Sequence, residues 1–135
     1  MNKRTIGVAL AIIILVAMLS GCGSNSGGKP IAATHFEVVA AYTENAANAG
    51  KLYDGKTISL PNCMVGNIRP ASAIDSAYVT MTISDENGQS AYFIAYFTNN
   101  SDVAKLTSGD VINLTGTPKY RAYAEFAYEN CKLVK

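Results

Sequence analysis

Apolar and polar residues alternate along most of the C-terminal two thirds of the chain, a pattern typical of β-strands with one buried face. The clearest segment runs from Ala77 to Ser84, where Val79, Met81 and Ile83 alternate with tyrosine and threonine. The same periodicity predicts five strands in all, at residues 57–65, 77–84, 90–97, 111–118 and 124–134.

Two of these strands carry further information. In the first, Ile58, Leu60 and Met64 share one side, which predicts that all three face the interior. Pro61 lacks a ladder donor and therefore indicates a bulge, a bend or an edge. The third strand, residues 90–97, has large apolar or aromatic groups on both faces, so we expect both faces to be covered.

A helix is predicted before the first strand. Thr34 and Glu37 form a capping-box pattern, and the Ala-rich segment that follows continues to about Ala49, with Gly50 as its end. One face of this helix is predicted to carry Val38, Tyr42, Ala46, Ala49 and Tyr53.

The order of elements predicts the fold. A short helical segment at residues 99–106 lies between the third and fourth strands. Five short strands with this helical insertion are typical of the OB-fold, a five-stranded Greek-key barrel. A bend near Pro61-Asn62 would let the first strand pair with different neighbours along its length. The fold class is therefore all-β with an added N-terminal helix.

The N-terminus has the pattern of an export signal. Asn2-Lys3-Arg4 is basic, and the apolar run Ile6–Leu19 is shorter than the roughly 20 residues that a transmembrane helix needs. Leu19-Ser20-Gly21-Cys22 resembles the lipobox of bacterial lipoproteins, which implies cleavage before Cys22 and a diacylglycerol on its thiol. An ordinary signal peptide with an incidental cysteine and an uncleaved anchor are the alternatives.

These features divide the chain into three parts. Residues 1–21 are predicted to be the signal peptide, residues 22–31 a flexible Gly/Ser-rich tether, and residues 32–135 the folded domain. The protein is therefore expected outside the cytoplasm, held at a bacterial membrane, on the cell surface or the periplasmic side, by lipid on Cys22.

Net charge bears on which ligands the mature chain can bind, and cysteine content bears on whether it contains a disulfide. Removal of Lys3 and Arg4 leaves nine basic residues against ten acidic ones, without the basic excess common in nucleic-acid-binding proteins. An exported location permits a disulfide between Cys63 and Cys131, and two buried free thiols are the alternative.

No catalytic constellation is evident in the sequence. His35 is the only histidine and is predicted to lie at the surface at the start of the helix, and Asp85-Glu86 reads as a solvated turn. The sequence contains no CxxC, HExxH, GxSxG or phosphate-loop motif and no spacing typical of metal ligands. The chain is therefore expected to be a binding protein rather than an enzyme, without a cofactor or a metal.

Three segments together resemble a family of bacterial OB-fold lipoproteins that is named for its likeness to the tRNA-anticodon-binding domain. They are Tyr42–Ala49 with Tyr53–Ile58, Leu106–Ile112, and Asn130–Val134, and the likeness covers residues 36–134. The family often has glycine in the middle of strand 1, where this chain has Pro61-Asn62. The resemblance implies an OB-fold and provides no catalytic residues.

OB-folds commonly bind ligands on the face of strands 2 and 3 and with neighbouring loops. The candidate ligand-binding residues at these places are Asn67, Arg69, Tyr78, Tyr92, Tyr96, Lys119, Tyr120, Arg121 and Tyr123. A protein, peptide or glycan at the cell envelope is the preferred ligand because of the near-neutral charge, and single-stranded nucleic acid is the alternative. If the N-terminal helix covers this face, Tyr92 and Tyr96 serve only to pack beneath it.

Overall fold

The structure is a computed structural model, and it describes residues 29–73, 76–120 and 125–135. The described residues form seven elements, in the order α1 His35–Tyr53, β1 Ile58–Arg69, β2 Tyr78–Ser84, β3 Ser90–Phe97, α2 Asn100–Val103, β4 Val111–Tyr120 and β5 Phe126–Leu133. The predicted signal peptide and Cys22 lie outside the described residues. None of the helices in the described part of the chain has the length and apolar character needed to cross a membrane.

The five strands form a closed barrel in the order β1-β2-β3-β5-β4. All neighbouring strands are antiparallel except β3 and β5, which run parallel. This order, with α2 between β3 and β4, is the OB-fold arrangement, so the predicted fold is confirmed. Fully buried side chains such as Met81, Phe93, Leu114 and Tyr128 fill the interior.

Strand β1 changes partner along its length. Its first half pairs with β4, its second half pairs with β2, and Met64 is paired on both sides. The register with β4 shifts between Leu60 and Cys63, where Asn62 has a φ of 53°, and this confirms the bend predicted near Pro61.

This bulge overturns one predicted burial. Met64 is 47% exposed, whereas Cys63 and Val65 are buried. An extra residue in a strand reverses the alternation of its side chains beyond that point, so Met64 turns from the expected interior to the outside.

Helix α1 begins as predicted and continues further than predicted. The Thr34 side chain accepts from the Glu37 amide at 3.2 Å, and the Glu37 carboxylate accepts from the Thr34 amide at 2.7 Å. Asn45 has non-helical angles and divides the helix, and its side chain accepts from the Asn48 amide at 3.1 Å. Beyond this kink Ala46 is exposed, in contrast to the predicted apolar face.

Helix α1 closes one end of the barrel. Val38 and Tyr42 are buried in the same apolar cluster as the inward-facing strand residues. His35, predicted at the surface, is only 2% exposed, and its ring lies 5.1 Å from Phe93 and 5.7 Å from Tyr128 between centroids. A helix that is docked on the barrel end leaves the outer surface of β1, β2 and β3 to other contacts.

Two strands run past their predicted ends. Strand β1 continues beyond its predicted end at residue 65 to Arg69, and β4 continues beyond residue 118 to Tyr120. At the other end of β1, the Ile31 amide donates to the Thr57 carbonyl at 2.9 Å, so the last residue of the predicted tether is already fixed to the barrel.

Candidate functional site

The outer surface of β1, β2 and β3 brings together most of the predicted ligand-binding residues. We call this surface the tyrosine face; it carries Asn67, Arg69, Tyr78, Tyr92 and Tyr96. Because side chains alternate along a strand, the burial of Val79 and Met81 inside the barrel places Tyr78 of β2 outside. Each of these positions is exposed or half-buried.

A cation and two aromatic rings form a row across the tyrosine face. Arg69 lies opposite Tyr78, which lies opposite Tyr96, on three successive strands. The Arg69 guanidinium is 5.4 Å from the centre of the Tyr78 ring, and the Tyr78 and Tyr96 rings are 5.8 Å apart at 55°. The guanidinium is thus held over an aromatic face, close to a second ring.

A second row crosses the same face nearer the β2–β3 hairpin. It joins Val111, Met64, Thr82 and Tyr92 on four neighbouring strands. Tyr92 is 51% exposed and Met64 is 47% exposed. Tyr92 and Tyr96 are four residues apart on β3, which places them about 13 Å apart at 3.3 Å per residue.

Between the two rows, the backbones of β1 and β2 approach closely. The register shifts between Val65 and Ile68, and the Asn67 amide donates to the Thr80 hydroxyl at 2.7 Å. A Cβ atom at Gly66 would lie 2.5 Å from that hydroxyl. Glycine is therefore required at this bulge. Asn67, a predicted ligand-binding residue, takes part in the bulge through its backbone amide, which donates to Thr80.

The tyrosine face is not covered by α1. The aromatic rings of α1 contact Phe93, Tyr120, Phe126 and Tyr128, on the barrel end and on β4 and β5. The expectation of cover on both faces of β3 is therefore wrong for Tyr92, which is 51% exposed, whereas Tyr96 is half-buried and Ile94 is buried.

Two other predicted ligand-binding residues, Lys119 and Tyr120, are separate from this face. The Lys119 ammonium pairs with the Glu129 carboxylate at 2.8 Å, and the Tyr120 ring stacks on Tyr42 at 5.2 Å and 8°. The other two candidates in this segment, Arg121 and Tyr123, lie outside the described residues.

Lys119 and Tyr120 line a groove between the C-terminal half of α1 and the outer surface of β4 and β5. We call it the threonine groove, since its walls include Thr57, Thr98, Thr115 and Thr117. The alternation along β4 indicates one wall of this groove, because Thr115 and Thr117 alternate with buried residues and therefore lie on the outer surface. What sequence reasoning missed is that α1 forms the opposite wall.

The two cysteines lie in the core as free thiols. Cys63 donates to the Leu60 carbonyl and Cys131 to the Tyr128 carbonyl, each at 3.4 Å. Burial raises the pKa of Cys63 to about 12 and also raises that of Cys131, so both remain protonated. The disulfide that an exported location permits is not formed in the structure, and both thiols belong to the apolar core.

No protein-family model and no curated protein matches the chain. Among solved structures, it is similar to a "putative nucleic acid-binding lipoprotein" from Klebsiella pneumoniae, with a TM-score of 0.54 and 26% identity over 76% of this chain and 92% of that chain. Rim1, a mitochondrial single-stranded DNA-binding protein of S. cerevisiae, gives a TM-score of 0.41 at 12% identity over 59% of this chain and 94% of that chain. The Klebsiella protein is thus a bacterial lipoprotein whose fold is similar to that of this chain. Rim1 is too distant to bear on function.

Proposed function

We propose that this chain is a lipid-anchored bacterial protein that binds single-stranded nucleic acid outside the cytoplasm on its tyrosine face, without catalysing a reaction. The observation that carries the proposal is the row of Arg69, Tyr78 and Tyr96 on a strand surface that α1 does not cover. The similarity to the Klebsiella lipoprotein supports nucleic acid over the protein, peptide or glycan that charge alone favoured.

The geometry suits a strand whose bases are unpaired. Arg69 is held over Tyr78 at 5.4 Å, where its outward N–H groups can bind a phosphate. Tyr96 beside it and Tyr92 about 13 Å along β3 offer two ring surfaces for bases. Stacking requires a free base face, which a single strand presents and a duplex does not.

Charge sets the expected mode of binding. Arg69 is the only basic residue in β1, β2 and β3, and the predicted mature chain has no basic excess. Stacking is therefore expected to supply more of the affinity than counterion release. Each phosphate contact on a single strand contributes a salt slope of about −0.7 in log K against log salt, so we expect a shallow slope near that value.

Fluorescence anisotropy with labelled oligothymidylate at low salt tests the proposal. The mature chain, with Cys22→Ser to omit the lipid, should bind saturably. Tyr96→Ala should weaken binding about 5- to 150-fold, since stacking on an aromatic side chain contributes about 1–3 kcal/mol per base. Tyr96→Phe keeps the ring and should bind like the parent chain.

Arg69→Ala provides a second readout. It should reduce the salt slope by about 0.7, whereas Tyr96→Ala should leave the slope unchanged. An absence of binding at low salt, or equal affinity for Tyr96→Ala and Tyr96→Phe, would reject the tyrosine face as the binding site. The proposed anchor is checked separately, because Cys22→Ser should release the protein from isolated membranes.

A further inference from the structure

The threonine groove is a second concave surface, separate from the tyrosine face. Its volume is about 1150 Å³. Small-molecule pockets commonly have about 300–1,000 Å³, so the groove has room for a segment of an oligomer. Its walls come mainly from α1, β4 and β5, with Thr57 before β1 and Thr98 after β3, whereas the tyrosine face is built on the strands β1, β2 and β3.

The charges of the described residues that line the groove cancel. Asp54 and Glu129 oppose Lys119 and Lys132, and Lys119 is already paired with Glu129 at 2.8 Å. This balance gives no net attraction for a phosphodiester or another polyanion. The threonine hydroxyls of the walls each donate one hydrogen bond and accept others, which suits a neutral ligand rich in hydroxyl groups.

The groove also contains a fixed aromatic platform. Tyr120 stacks nearly parallel on Tyr42, and the Tyr42 hydroxyl donates to the Asp54 carboxylate at the end of α1. Tyr42 is buried, whereas Tyr120 is 43% exposed. A ring that is held in place by a buried neighbour can receive a flat apolar surface with little further loss of conformational freedom.

Asn130 is directed to the groove by a backbone irregularity. Its φ is 54°, in the left-handed region, at the point where the β4–β5 register shifts between Thr115 and Thr117. Bulges often re-aim a side chain at a binding site, and the exposed Asn130 lines this groove. Its amide supplies both a donor and an acceptor.

From these features we infer that the threonine groove binds a neutral oligosaccharide. Pyranose rings have an apolar face that can lie on Tyr120 and hydroxyl groups that can pair with Asn130 and the threonines. The inference does not depend on the proposed binding of nucleic acid, because no residue of the tyrosine face takes part. The failure of either proposal leaves the other intact.

Asn130→Gly is the decisive variant. Glycine adopts a positive φ without a steric penalty, so the bulge and the melting temperature should be retained while the amide is removed. Loss of its hydrogen bonds should weaken sugar binding about tenfold. Tyr120→Ala, with Tyr120→Phe as its control, removes the platform independently and should also weaken binding at least tenfold.

Calorimetry on the mature chain with Cys22→Ser should use two neutral probes, the N-acetylglucosamine tetramer and cellotetraose, and one anionic probe, oligogalacturonate. Saturable binding of at least one neutral probe at a Kd in the millimolar range or tighter, weakened by Asn130→Gly, supports the inference. No binding of either neutral probe, tighter binding of the anionic probe, or equal affinity for Asn130→Gly and the parent chain would overturn it.

Discussion

His35 is enclosed by aromatic rings where α1 meets the barrel. Its Nδ1 lies 2.9 Å from the Tyr128 hydroxyl, and its ring contacts Phe36, Phe93 and Phe126. No charged group is among these contacts. Burial therefore lowers the pKa of His35 to about 4, because the imidazolium would lose its hydration without gaining a counter-charge.

The depressed pKa of His35 predicts a loss of stability in acid. The unfolded chain takes up the proton near pH 6.5, whereas the folded chain takes it up only near pH 4, so protonation favours unfolding between these values. The free energy of unfolding should fall by about 3 kcal/mol between pH 7 and pH 4 on account of this group. Urea denaturation at successive pH values measures the fall.

His35→Gln is the control for this prediction. The amide can keep a hydrogen bond to Tyr128 and does not titrate, so most of the slope between pH 6.5 and pH 4.5 should disappear. A parent chain whose stability is flat across that range, or a His35→Gln variant with an unchanged slope, would show that His35 is not buried as described.

Sequence reasoning was least successful at single residues whose surroundings are set by distant parts of the chain. The capping box at Thr34 was predictable because its partners are three residues apart. The burial of His35 was not, since its partner Tyr128 lies 93 residues away. The exposure of Met64 depends in the same way on a bulge whose position is fixed by pairing with β4.

Among the elements, β1 supplies the only basic residue of the proposed interface, Arg69. It carries one bulge against β4 and another against β2, and the second lies beside Arg69. Gly66 allows this second bulge, since a Cβ there would lie 2.5 Å from the Thr80 hydroxyl and 3.1 Å from the Thr80 carbonyl oxygen. The position of Arg69 over Tyr78 thus depends on close contact between two backbones.

Gly66→Ala should therefore destabilise the barrel. The added methyl group must displace Thr80 and break its hydrogen bond to the Asn67 amide, at an expected cost of about 1–3 kcal/mol in the free energy of unfolding. In a Thr80→Ala background the nearest clash is absent, so the same substitution should cost less. Thermal unfolding of the four variants of this cycle measures the coupling, and additive effects would contradict the described contact.

Element order was predictable, and element ends were less so. Alternation identified all five strands, and residues 90–97 coincide with β3. The ends of β1 and β4 were set too early because Asn67, Arg69, Lys119 and Tyr120 have the polar or aromatic character of loop residues. Pairing with β2 and β5 extends these strands, and such pairing is not encoded locally.

At the scale of the whole molecule, the barrel separates two surfaces. Ile31 joins the barrel beside Ile58, at the start of β1, whereas Arg69 ends that strand. We therefore expect a tether from Cys22 to leave the tyrosine face accessible when the lipid is in a membrane. The tyrosine candidates on β2 and β3 were predictable from the fold, but the separation of Lys119 and Tyr120 from them depended on where α1 docks.

Amide chemical-shift mapping of the mature chain, with Cys22→Ser and unlabelled oligothymidylate, tests the central claim most directly. We predict saturable shifts at Arg69, Tyr78, Tyr92 and Tyr96, and no comparable shifts at Thr115 or Thr117 in the threonine groove. Shifts confined to the groove, or no shifts at low salt, would contradict the assignment of the tyrosine face as a nucleic-acid-binding surface.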